Sequence, residues 1–192
     1  MSSQKKCNHT HSHNDHYEHD HSGNEGTHIC NHVTSSSVSQ SLDELSFERG
    51  IWGSVLSGDY DRVDTLLNKN KDLSNARDSS GFYPIHYAAR SDSNFRILAL
   101  LIDNGADPNL QTLGGATALH RSSFCGSVKN TDYLLNLKNI IVDIQDDDGM
   151  TPLHKAYEQG KTDIIDLLLK SNASTTIKDK RGRLPIDLLK QK

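Results

Sequence analysis

Histidine is the residue type in this chain best suited to chemistry, and it occurs in two patterns. Six imidazoles crowd a short early stretch: His9, His11, His13, His16, His19 and His21. Neutral imidazole is a common ligand for zinc, copper and nickel, and a flexible segment can fold several around one ion. These six are the candidate metal ligands. Cys7-Asn8-His9 and Cys30-Asn31-His32 also repeat one another and could offer a Cys2His2 set. Their spacing lacks the short knuckles that precede a helix in a structural zinc site. The expectation is therefore no resident cofactor, with adventitious Zn, Cu or Ni on a low-complexity tail. The second pattern is His86, His120 and His154, each 34 residues from the next.

Other residue types offer less. Asp146-Asp147-Asp148 lacks the alternation and distal Glu of a calcium loop and reads as an acidic turn. Cys125, just before Gly126 at an expected helix end, reads as a partly buried structural cysteine. Neither a phosphate-cradling glycine loop nor a nucleophile elbow occurs, so no enzyme is expected. With a net charge of −4 and a pI near 6.2, the chain has no basic footprint for nucleic acid. It has no apolar run long enough to span a membrane and no apolar leader segment, so the expectation is an intracellular chain, cytoplasmic or nuclear. Three scattered cysteines agree with a reducing compartment.

The elements that must position the spaced histidines repeat with them. Tyr83-Pro84-Ile85-His86, Thr117-Ala118-Leu119-His120, Thr151-Pro152-Leu153-His154 and Leu184-Pro185-Ile186-Asp187 are near-copies, and Gly50-Ile51-Trp52 is a degenerate one. Gly81, Gly115, Gly149 and Gly182 precede them in phase, where a tight turn needs positive φ. Leu66-Leu67, Leu100-Leu101, Leu134-Leu135 and Leu168-Leu169 follow in phase. Gly58, Gly126 and Gly160 stand where a two-turn helix would end, and Asn70, Gly105, Asn139 and Asn172 are expected to close second helices in the left-handed conformation. Each unit reads as a turn, a short helix, a stop, a Leu-rich helix and an extended return. Thr is an N-cap acceptor, and Pro is pre-set for the first helical turn. Such units bury their apolar faces only by stacking on neighbours.

These motifs resemble the T-P-L-H-x-A signature of the ankyrin repeat family. The resemblance implies an all-α ankyrin repeat solenoid of helix-turn-helix units joined by short β-hairpin loops. The expected organisation is a disordered His-rich tail over 1–40, then an ankyrin domain over 41–192. Its units are 46–78, 79–112, 113–146, 147–179 and a partial cap over 180–192, the chain stopping before a last second helix. Stacked units lie about 8–10 Å apart, too far for His86, His120 and His154 to share a metal held at about 2 Å. In this family such histidines are structural, tying one unit to the next.

What remains for function is the recognition surface that the resemblance implies: hairpin tips and exposed first-helix positions forming a concave face. Counted from each motif's last residue, these positions are Phe82, Arg90, Leu113, Phe124, Asp147, Asp148, Met150 and Glu158. Phe82, Phe124 and Met150 would be anchors and the charged residues selectors. The expected function is a monomeric, non-catalytic adaptor or scaffold that binds a protein partner, with no nucleic acid and no membrane. The alternative is a metal handler whose tail gathers Zn, Cu or Ni while the repeats dock a client.

Overall fold

The computed structural model describes residues 50–189. The expected tail over 1–40 and its histidines lie outside the described residues. Within them, eight α-helices form four pairs: α1 (Ile51–Ser57) with α2 (Tyr60–Lys69), α3 (Pro84–Ala88) with α4 (Phe95–Asp103), α5 (Ala118–Cys125) with α6 (Val128–Leu135), and α7 (Pro152–Glu158) with α8 (Thr162–Lys170). A 3-10 turn over Pro185–Leu188 stands where a fifth first helix would begin. No strand occurs among the described residues, because each hairpin closes on a single backbone pair: Asp78 with Phe82, Thr112 with Ala116, Asp146 with Met150, Asp179 with Arg183.

Local chemistry accounts for each start and stop. Thr117 and Thr151 accept a hydrogen bond from the backbone N–H of His120 and His154, and Pro84, Pro152 and Pro185 occupy a first-turn position. Tip glycines 81, 115, 149 and 182 have φ between 74° and 83°, the left-handed region that a side chain would strain. Asn172 and Gly105 close their helices with positive φ, as expected. Asn70 and Asn139 do not. Asn70 is extended at φ −151° and its side chain caps a 3-10 turn over Lys71–Asn75, while α6 stops early at Leu135 with Asn136 as its cap. Between α3 and α4 lies another 3-10 turn, Asp92–Asn94.

Stacking makes one apolar layer. Leu67, Leu101, Leu134 and Leu168 of the second helices are fully buried against Ile51, Ile85, Leu119 and Leu153 of the first. Ala88, Ala89 and Ala156 are also fully buried, which lets successive first helices approach closely. Polar ties run along the stack. Asn75 and Asn109, 34 residues apart, each grip the following return through both side-chain ends: Asn75 holds the Gly105 carbonyl and the Asp107 N–H, Asn109 the Asn139 carbonyl and the Ile141 N–H. Asp143 continues the series by accepting from the Ser174 N–H.

Candidate functional site

The three spaced histidines are joints between units. In each, Nδ1 accepts from a backbone N–H three residues earlier: Tyr83 for His86, Thr117 for His120, Thr151 for His154. An N–H can only donate, so the ring proton is on Nε2. That nitrogen donates onward, His86 to the Leu110 carbonyl at 3.0 Å, His120 to Met150 at 2.9 Å and His154 to Arg183 at 3.3 Å. Burial holds them neutral, pushing His86 and His120 down to about 4 and lowering His154 as well. At the last motif Asp187 takes over the capping half of the role, accepting from the Leu184 N–H at 2.8 Å.

Each hairpin tip is held from inside by the residue that opens it, the last of one sequence unit but joined by its hydrogen bonds to the unit whose first helix follows. Asp78 accepts from the Phe82 N–H and from the Tyr87 hydroxyl at 2.6 Å. Asp146 accepts from the N–H groups of Asp148 and Met150 and pairs with Lys155 at 2.8 Å. Asp179 accepts from Arg181 and Arg183 N–H and pairs with the Arg183 guanidinium at 2.7 Å. In the third unit Thr112 has this place, and its hydroxyl accepts only from the Ala116 N–H. Arg121 occupies the helix position that Tyr87 and Lys155 fill in the neighbouring units, and among the described residues it meets no carboxylate. Its guanidinium instead lies over the Phe82 ring, 5.5 Å from the centroid.

The expected recognition residues fall into two groups. Arg90 is exposed, Leu113 is 64 % exposed at its tip beside Gly81, and Phe124 is 41 % exposed one turn beyond Arg121. Phe82 is half-buried, packed on His86 and Tyr87 and covered by Arg121. Asp147 and Asp148 are exposed on the fourth tip, and Glu158 is half-buried at the end of α7. Met150 corrects the expectation of an exposed anchor. It is only 4 % exposed, because it closes the hairpin with Asp146 and its sulfur lies 3.2 Å from the Lys155 ammonium. Residues four before the motif end thus turn toward the helix instead of outward.

Arg121, Lys155 and Tyr87 escaped the sequence reading although a signal was present. Each lies three residues before a residue singled out (Phe124, Glu158, Arg90), the spacing that puts two side chains on one helix face.

Comparison with known proteins agrees with this stack. A family model described as ankyrin repeats (3 copies) matches residues 85–179, and another described as ankyrin repeats (many copies) matches residues 52–101. The chain belongs to the ankyrin repeat family. It is 44 % identical over 84 residues to ankyrin repeat domain-containing protein 39 of Homo sapiens, covering 43 % of this chain and 45 % of that protein. The Bos taurus protein of the same name is 46 % identical over 63 residues, covering 32 % and 34 %. A palmitoyltransferase of Lachancea kluyveri is 27 % identical over 147 residues, covering 75 % of this chain and 20 % of that enzyme. The chain thus spans less than half the length of these relatives. Ankyrin repeats are protein-interaction modules, and among the described residues no helix is long and apolar enough to cross a membrane.

Proposed function

We propose that this chain is a non-catalytic adaptor or scaffold that binds a protein partner on the face made by its hairpin tips and first helices, the concave side of an ankyrin array. It acts as a monomer inside the cell and needs no cofactor. The observation that carries this reading is the exposure of Leu113 and Phe124 beside the charged side chains of Arg90 and Arg121 on that one face. Apolar anchors next to arginine are typical of surfaces where a few residues supply most binding energy. Asp147, Asp148 and Glu158 on the next unit would select orientation by charge.

Proximity labelling in cells with the full chain tests this. Leu113→Ser with Phe124→Ser should remove the specifically labelled proteins and leave thermal unfolding unchanged, whereas Leu169→Ser, on a second helix, should remove none. Unchanged labelling by the folded double variant would place the binding surface elsewhere.

A further inference from the structure

The third unit's tip differs from its neighbours in a way that points to what the partner carries. Asp78, Asp146 and Asp179 each give a carboxylate oxygen to a side-chain donor of their own unit: Tyr87, Lys155 and Arg183. With Thr112 in that place, the equivalent donor Arg121 has no acid to meet among the described residues. Its Nε is buried and has no hydrogen-bond partner. Burial, and then the like charge of Arg90, both act against its charged form, and no carboxylate is among the groups acting on it. A buried N–H left without an acceptor is costly, and such atoms are rare in folded proteins.

The surroundings describe an occupant. A cleft of about 340 Å³ opens beside Arg90, lined also by Leu56, Tyr87, Asn94 and Cys125, and its lining contains no acidic residue. Leu56 is 49 % exposed at one edge. Phe124 stands beyond Arg121 on the same helix.

We propose that Arg121 and Arg90 receive a carboxylate in trans, so that this face docks an acidic protein segment whose Asp or Glu, flanked by apolar side chains, supplies the counter-ion that Thr112 cannot. The inference rests on the protein-binding reading above and specifies its chemistry. A guanidinium fork matches a planar carboxylate through two parallel hydrogen bonds, and the neighbouring units show a carboxylate held at this same register.

The probe is a pair of labelled synthetic peptides, one alternating Glu or Asp with Leu and Phe, the other its Gln and Asn isostere. Binding to the full chain is followed by anisotropy at low ionic strength. The acidic peptide should bind at least about tenfold tighter than the amide peptide, and Arg90→Gln with Arg121→Gln should reduce that ratio to about twofold or less. Thr112→Asp, which supplies the acid in cis, should also abolish the preference while raising the melting temperature. Should the double variant not fold, the Arg121 Nε–H resonance of the unaltered chain gives the answer, because it should shift on addition of the acidic peptide only. An acid preference that survives Thr112→Asp, a resonance that does not move, or displacement by inorganic phosphate more readily than by glutarate would each overturn the inference. Partner labelling lost in the Leu113 and Phe124 variant, without any acid preference, would sink only the carboxylate and leave protein binding standing.

Discussion

The third and fourth ankyrin units share a backbone plan and differ in how they hold their tips. In the fourth, Asp146 is buried, accepts from two backbone N–H groups and binds Lys155, so the tip and α7 form one locked body. In the third, the Thr112 side chain holds its turn by one hydrogen bond, and Arg121 is left to an aromatic ring and a like-charged neighbour. The interior follows the same contrast. Ser122, Asn130 and Thr131 are buried at the positions that Ala156, Ile164 and Ile165 take one unit later, and Asn130 reaches back to the Ala88 and Ser91 carbonyls. A unit whose polar groups are all satisfied internally is built to carry load. One that keeps a buried donor unsatisfied leaves room for the outside acceptor proposed above.

The largest effect should come from acid. His86 and His120 stay neutral in the fold down to about 4, against an ordinary value of 6.5, so the unfolded chain takes up their protons first. Stability is therefore full above pH 6.5 and falls as pH drops toward 4, by on the order of 3 kcal/mol for each of the two. Urea denaturation at pH 7, 5.5 and 4.5 should show this slope. His120→Gln should flatten it more than His154→Gln, since burial lowers His120 the further of the two. Equal flattening would erase that difference between the two joints.

Next comes the lock itself. Asp146→Ala leaves the Lys155 ammonium and two backbone N–H groups without their acceptor, at a cost of about 3 kcal/mol. Thr112→Ala removes a single hydrogen bond and should cost about 1 kcal/mol or less. Chemical denaturation of both variants at neutral pH measures the gap, and similar midpoints would mean that the tips are held alike.

How much of this could be read from the chain depends on whether a residue's role is local. Pro84, Thr117, Thr151 and the tip glycines answer to backbone geometry within a few residues, so their types announce them. Leu67, Leu101, Leu134 and Leu168 announce themselves by phase, because a stack must bury the same position in every unit. Met150 misled because a large apolar residue near a tip looks exposed until the hairpin's closing pair turns it inward. Asn70 and Asn139 misled for different reasons: Asn70 is extended and caps a 3-10 turn, whereas α6 has already ended at Leu135, before Asn139 is reached. The Asn75, Asn109 and Asp143 ties were in plain sight at the 34-residue period, but their partners lie in the next unit.

The tips should also differ in how much crowding they tolerate. Gly115 and Gly182 both have positive φ, so either change to Ala carries a backbone penalty of about 1 kcal/mol. At Gly115 the new Cβ would stand 2.8 Å from the Asp147 backbone nitrogen, whereas at Gly182 nothing lies within 4 Å. Gly115→Ala must in addition push the third tip off the fourth, where the Asp147 N–H donates to the Gly114 carbonyl at 3.0 Å. It should lose about 3 kcal/mol in all, and matching losses at the two sites would show that tip-to-tip contact contributes little.

The smallest effect has an opposite sign and bears most directly on function. Thr112→Asp would give the third unit the acid that its neighbours possess, within reach of the Ala116 N–H that Thr112 already serves. Arg121 is only half-buried, so screening by water limits the gain to about 1 kcal/mol. A rise in melting temperature at low salt that fades at high salt is the expected signature. Were the substitution neutral at every salt concentration, Arg121 would be satisfied as it stands. The contrast between a closed fourth unit and an open third one would then rest on sequence alone and not on energy.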